Sequence, residues 1–381
     1  MKKILSAVVL TTLCIWASAQ LPSKTTIGPK LSMGFNKNIE LLGFAYFIAF
    51  EGENIETKIV TVNGKDMIEK DWQKYGYQFY QKYKDYHGSP HLISALSVTE
   101  YLWLSDIIPL LLAVGDFPNA KIDVALPIKL YQSFSRTKNV EEAKKKATQF
   151  LNSCNEFYKQ VDFDDYLKKS INYYQSAAMQ IKKNLPTTDF IPKMEAFYRK
   201  NLGNYQLIPS LTIPNGMGFS ATLENASEQI TFNVFGAVDQ QNLSNDQPFS
   251  MGFGNENKLR ELSIHEFGHS FVNPYMNLIP KEKLDSCAAL FNPLKSRMEE
   301  EGYTTWKSCL NEHFVRAGEV IIAQLMNNEK SAKKLENEYI INRKFVYLPL
   351  IIEELKRYQQ NKEDSYEKAM QCVIQRLILE N

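Results

Sequence analysis

Charge of one sign is what this sequence lacks most: 44 Lys and Arg stand against 43 Asp and Glu, a net charge of +1. A broad basic surface for nucleic acid is therefore excluded, and so is an acidic solvating tail. Long apolar runs are also missing beyond the N-terminus. The longest, near Ile107 to Val114 and Phe345 to Ile352, fall well short of the ~18 residues that span a bilayer. No internal repeat, low-complexity tract or linker-like stretch occurs, and no C-x-x-C pair. Histidine is scarce, at five residues, so any two at ligand spacing stand out. What remains, 44% hydrophobic and 23% charged over 381 residues, is an ordinary globular composition. The chain is long enough for one large or two ordinary domains with a sizeable core.

The first residues read as a targeting signal. Lys2 and Lys3 precede an apolar run from Ile4 to Trp16 that ends in Ala17-Ser18-Ala19, and about 13 apolar residues are too few for a membrane span. Residues 1–19 are expected to be removed, leaving an exported protein with no stable membrane span. Leu13 before Cys14 is bulkier than lipoprotein processing expects. Cys154, Cys287, Cys309 and Cys372 then remain, with three complete pairings open to them. In an exported chain of this size they read either as optional staples or as small buried hydrophobes, not as zinc ligands.

The expected fold class is α+β, mostly helical. The run from Asn36 to Phe50 predicts an early buried helix, and Ile68 to His91 a single amphipathic helix with its exit, its lysines snorkelling between aromatic rings. Apolar residues from Val140 to Val161 recur by threes and fours behind Asn139, which predicts a capped helix. The similar pattern from Phe163 to Ile181 predicts its antiparallel partner. After Leu202 the runs QLIPSLTI, MGFSATL and QITFNVFGAV, punctuated at Pro214-Asn215-Gly216 and at 224–227, predict a small antiparallel sheet. Helical patterns resume near Asn257. Two regions follow, 20–204 mainly helical and 205–381 carrying the sheet and the chemistry, and they are compatible with one continuous domain.

The chemistry sits in ELSIHEFGHSFVNP, residues 261–274. His265, Glu266 and His269 form H-E-x-x-H, which on a helix puts both imidazoles one turn apart on one face with the carboxylate beside them. Leu262 and Val272 share the histidine side, and Ile264, Phe267 and Phe271 line the other. A helix this apolar is buried, and two buried imidazoles with a carboxylate are costly unless they are hydrogen-bonded or coordinate a metal such as Zn²⁺. Gly268 inside the helix implies a close neighbour, and the helix is expected to end at Asn273, before Pro274.

A catalytic zinc takes three protein ligands and keeps one position open. Val272 and Tyr275 stand where a third-histidine motif needs Gly and His, which excludes that subclass. LNEHFVRAGEVIIAQL offers the third ligand: the spacing Leu310, Phe314, Ala317, Ile321, Leu325 marks a second core helix with Glu312, Arg316 and Glu319 grouped on one face. Glu312 is the preferred ligand and Glu319 a supporting carboxylate. Asp285 is the other candidate, and a plain Glu312–Arg316 ion pair the alternative reading. His313 faces about 100° away from Glu312. Tyr303, Tyr275, His313 and Arg316 are the candidate donors to a developing oxyanion.

HEFGH followed by NEHFVRA resembles the glutamate-zincin peptidases, or gluzincins, over about Asn257 to Leu325. The whole chain, including NKNIELLGF, also resembles an uncharacterised family of secreted bacterial zincin-like proteins. The resemblance implies a zincin-like fold, zinc on His265, His269 and Glu312, Glu266 as general base, and hydrolysis of a peptide or protein substrate. The stretch of about 42 residues between His269 and Glu312 is longer than the compact gluzincin pattern. QITFNVFGAV could hold an extended peptide by strand addition. The rival readings are a catalytically inactive zincin-like binding protein and a zinc hydrolase of a non-peptide amide. The sequence is silent on oligomeric state.

Overall fold

A computed structural model of the protein describes residues 21–379 apart from 63, 186–188, 225–227 and 245–248. The expected targeting signal lies outside the described residues. The chain opens with two short strands, β1 (Thr25–Thr26) and β2 (Leu31–Met33), and helix α1 (Lys37–Tyr46), which runs on as a π-helical turn, Phe47–Glu51. Asn36 caps α1, its Oδ1 accepting the Ile39 amide at 3.0 Å. A hairpin of β3 (Ile59–Val62) and β4 (Lys65–Ile68) follows.

The single helix expected over 68–91 is broken into α2 (Glu69–Trp72) and α3 (Lys74–Tyr83). The cause is tertiary: at Gln73 the backbone leaves the helical region, its side-chain oxygen accepts the Asn215 amide, and Asn215 donates to the Trp72 carbonyl at 2.7 Å. Next come α4 (Pro90–Thr99), α5 (Leu104–Ala113), α6 (Val140–Gln160), α7 (Phe163–Asn184) and α8 (Phe190–Tyr198). Asn139 caps α6 as the sequence predicts, accepting the Glu142 amide at 2.9 Å. Helix α6 packs chiefly on α4 rather than on α7, because Asp162 takes a left-handed conformation between α6 and α7 and turns the chain away. Phe44 of α1 is the hub of this layer, with ring centroids 5.0–5.3 Å from Phe79, Phe163 and Tyr166.

Strands β5 (Asn204–Pro209), β6 (Gly218–Glu224) and β7 (Gln229–Phe235) complete a five-stranded sheet of order β1-β2-β5-β7-β6. The expected antiparallel hairpin is β6–β7, but β2–β5 and β5–β7 are parallel, so the sheet is mixed. Local patterning cannot specify this, since β2 comes from residues 31–33 and joins the sheet across the expected boundary at 204. QITFNVFGAV supplies β7, paired on both sides, so it has no open edge for an added strand; β1 and β6 are the edge strands.

The C-terminal part is helical: α9 (Glu256–Leu278), α10 (Lys281–Asp285), α11 (Lys295–Glu300), α12 (Trp306–Leu325), α13 (Glu329–Asn337), α14 (Leu348–Gln360) and α15 (Tyr366–Leu379). Helix α9 lies on the sheet, with Tyr205 of β5 edge-on to Phe267 at 5.0 Å and Thr222 of β6 bonded to Ser270 at 3.2 Å. It does not stop at Asn273. Pro274 is carried inside it because Phe271, Val272 and Met276 are buried on both sides of the proline, and that burial outweighs the lost hydrogen bond. The fold is thus mostly helical α+β. No single helix among the described residues is long and apolar enough to cross a membrane. Cys154, Cys287 and Cys309 are buried and Cys372 is exposed, all as free thiols.

One buried acid ties the two halves. Glu40 of α1 accepts from the Tyr174 hydroxyl at 2.7 Å, the Leu211 amide at 3.2 Å and the Thr212 hydroxyl at 3.2 Å. Burial raises its pKa from 4.5 to about 7 against these hydrogen bonds. A folded-state pKa above the unfolded value means stability is full below pH 4.5 and declines as pH rises towards 7. Urea denaturation across that window should show Glu40→Gln lacking up to about 3 kcal/mol of the pH-dependent loss seen in the parent protein. Equal slopes for the two proteins would refute this account of Glu40.

Candidate metal centre

His265, Glu266 and His269 occupy the middle of α9, where the helix is most enclosed. One ligand atom from each lies within 4.8 Å of the others, so the group could hold a metal ion. The two histidines turn their Nε2 atoms towards each other, 3.3 Å apart. Their Nδ1 atoms are engaged elsewhere. That of His265 donates to Glu319 at 2.7 Å, and that of His269 faces the Asn273 side-chain oxygen at 3.4 Å. In the tautomer with a proton on each Nδ1, each Nε2 would present a bare lone pair.

Helix α12 crosses behind α9 and brings Glu312 to the same point. Its Oε2 is 3.4 Å from His269 Nε2 and its Oε1 3.7 Å from His265 Nε2. Arg316 Nε approaches Oε1 to 2.8 Å, but at an angle that makes an ion pair without a hydrogen bond, so Oε1 is buried with no hydrogen-bond partner. Burial alone would raise the Glu312 carboxyl. Arg316, then the two imidazoles, then the neighbouring Tyr303 hydroxyl outweigh it and hold the group well below the usual carboxylate range. Three electron-rich atoms thus converge with no proton donor between them, an arrangement a cation resolves.

Glu319 has a different place. It holds the far nitrogen of His265, receives Arg316 Nη1 at 3.1 Å and the Tyr339 hydroxyl, and its pKa is lowered by Arg316 and His265 against the effect of burial. Asp285 is remote from all of this, exposed on α10 and paired with Lys281; the sequence distance that made it attractive does not translate into proximity. Glu266 points beside the imidazoles, its Oε1 3.9 Å from His265 Nε2, and burial raises it to about 7. Burial also lowers His269 to about 4.

Of the four candidate oxyanion donors, Tyr303 stands at Glu312. Tyr275 packs on Tyr366, the Arg316 guanidinium is taken up by Glu312, Glu319 and Tyr339, and His313 is fully buried with its Nδ1 at the Cys309 carbonyl, 2.8 Å away.

Two contributions were not readable from the motif. A Cβ on Gly218 of β6 would lie 2.5 Å from Glu266 Oε1 and 2.9 Å from Leu262, so the strand can lie under the carboxylate only without a side chain there. Tyr198 of α8 stacks on Phe271 at 4.5 Å, and its hydroxyl fills the space a Cβ on Gly318 would need. Gly268 faces Val315, its absent Cβ 3.3 Å from that side chain, so the close neighbour its presence implied is α12. Glycines in a Gly-poor helix were the available signal; nothing local marked Gly218 or Tyr339.

The model of a domain of unknown function (DUF4932) matches residues 31–371. The chain belongs to the DUF4932 family. No curated protein and no solved structure matches it. The DUF4932 match spans the helical half, the sheet and both site helices, and it carries no chemistry of its own, so the resemblance to gluzincins rests on HEFGH and NEHFVRA alone.

Because Glu319 orients His265, its replacement should weaken metal binding without removing a ligand atom. Competition with a chromophoric chelator is expected to show Glu319→Gln binding a divalent ion about 10- to 100-fold more weakly than the parent. Unchanged affinity would assign Glu319 to the ion-pair network only.

Proposed function

We propose that this chain is an exported, zinc-dependent metallopeptidase, with His265, His269 and Glu312 holding the ion and Glu266 serving as general base. The observation that carries the reading is the convergence of the two Nε2 atoms and the Glu312 carboxylate, whose Oε1 is buried without a hydrogen-bond partner, with Glu266 beside them. Donors about 2.1 Å from a tetrahedral zinc stand roughly 3.4 Å apart. The 3.3 and 3.4 Å separations at His269 support that ion over larger, oxygen-preferring cations.

When bound, the ion supplies Lewis acidity that acidifies water and polarises a carbonyl. The chain's own residues do the rest. Glu266, on a helix whose position is fixed by the sheet, takes a proton from the attacking water and returns it to the leaving amine, a contribution of roughly 10² to 10⁴ in rate. Tyr303, beside Glu312, is the donor placed to meet a developing negative charge on the substrate oxygen. Strand β6, at an edge of the sheet and adjacent to Glu266 through Gly218, is the seat for an extended peptide, in place of β7.

Metal content and peptidase activity of the purified protein, measured together, test the reading. Glu266→Gln should retain metal and lose about 10²-fold or more in kcat, whereas His269→Ala and Glu312→Ala should lose the metal. Metal retained in Glu312→Ala removes that residue as a ligand, and a metal-loaded parent that cleaves no peptide in a broad library overturns the peptidase assignment. Gly218→Ala should displace the Glu266 carboxylate and lower kcat at unchanged metal content; full activity would show that Glu266 does not need its present position.

A further inference from the structure

Tyr339 touches both charged neighbours of the candidate metal ligands without being a ligand itself. It is 4% exposed; its hydroxyl donates to Glu319 Oε2, and Arg316 Nη1 donates to the same hydroxyl at 3.2 Å. The Arg316 guanidinium also lies over its ring, 4.8 Å from the centroid. Those two neighbours do different work. Glu319 Oε1 takes His265 Nδ1 at 2.7 Å, and Arg316 Nε pairs with Glu312 Oε1 at 2.8 Å. A single residue therefore separates Tyr339 from His265 on one side and from Glu312 on the other.

Helical spacing delivers Tyr339 to this point. Ala332, Leu335 and Tyr339, spaced by three and four, form a buried stripe along α13 and its continuation, a π-helical turn over Glu338–Asn342. Helix α13 packs on α12, which sets the end of that stripe at Glu319. Beyond Tyr339 the turn is fastened twice. Arg343 holds Glu301 through Nε at 3.0 Å and Nη2 at 2.5 Å, and the buried Phe345 donates its amide to the Tyr339 carbonyl at 2.9 Å and packs edge-on against His313. Packing alone does not require a hydroxyl here, since a phenylalanine ring would fill the same space. The hydroxyl matters to Glu319: Oε1 takes His265 and Arg316, whereas Oε2 takes Tyr339. Without it, a buried, charged oxygen is left with no donor, and rotation of the carboxylate to satisfy that atom draws Oε1 off His265.

We propose that Tyr339 is a positioning residue of the metal centre: its hydroxyl fixes the rotation of Glu319, and with it the His265 ring, while keeping Arg316 against Glu312. This inference rests on the metal-binding reading of the same site and adds to it a residue that ligates nothing. Its test needs no peptidase activity.

Zinc affinity of the purified protein, from competition with a chromophoric chelator, is compared among the parent, Tyr339→Phe, Glu319→Gln and the double variant. Tyr339→Phe, which keeps the ring under Arg316, is expected to bind zinc roughly three- to tenfold more weakly, a smaller loss than that of Glu319→Gln because it acts one contact further out. In the Glu319→Gln background the same change should cost no more than about twofold, because the residue it acts through is already altered. Urea unfolding of the metal-free proteins is the control: a hydroxyl that only stabilises the fold would lower the midpoint and leave zinc affinity alone. Unchanged affinity in Tyr339→Phe overturns the proposal, and so does an equal loss in both backgrounds, which would place the effect outside Glu319. Either result leaves the metal reading standing. A parent protein that binds no divalent ion overturns the metal reading, and this inference with it.

Discussion

A buried excess of negative charge governs the C-terminal half of this protein. Glu266, Glu312 and Glu319 lie together inside the structure, and Arg316 is the fixed cation among them. With all three carboxylates ionised and both imidazoles neutral, two negative charges are left unbalanced. Low-dielectric surroundings make such an excess costly. The protein answers in part by pushing Glu266 up to about 7, which keeps one proton in the cluster. A divalent cation between the imidazoles and Glu312 answers it completely, and does so where lone pairs already converge. Charge balance and ligand geometry therefore point to the same spot by independent routes.

The scaffold around that spot is arranged to bring two helices close together. Val315 against Gly268 and the Tyr198 hydroxyl against Gly318 set the α9–α12 crossing, and the stacked Tyr198–Phe271 pair fixes α8 across it. Close approach is what lets a short side chain such as Glu312 reach imidazoles on the neighbouring helix. On the opposite side of α9, Gly218 lets β6 lie under Glu266. The site is thus pressed between a helix and a strand, and at both contacts a glycine is the residue that permits it.

Much of this was legible in the sequence, for reasons that can be named. Asn36 and Asn139 cap their helices because a cap is a local device, readable over four residues. The HExxH spacing and the apolar rhythm of α12 are likewise periodic signals, and they mark His265, His269 and Glu312 as one candidate group. What failed depended on contacts distant in sequence. Pro274 sits inside α9 because of buried neighbours, and Gln73 breaks a helix because Asn215 binds there. Strand β2 pairs with β5 across more than 170 residues. Asp285, close to the motif in sequence, is paired with Lys281 on the surface, so sequence proximity carried no spatial information.

The same long-range contacts explain why the helical half is attached to the chemistry at all. The segment leading into β6 is held from the N-terminal side at two places: Glu40 takes the Leu211 amide and Thr212 hydroxyl, and Gln73 and the Trp72 carbonyl bind Asn215. Three residues after Asn215 comes Gly218, the backbone against which the Glu266 carboxylate rests. These bonds hold α1 and α2 against the segment that leads into the strand beside Glu266. That makes the N-terminal half a brace for the site as well as a layer of core.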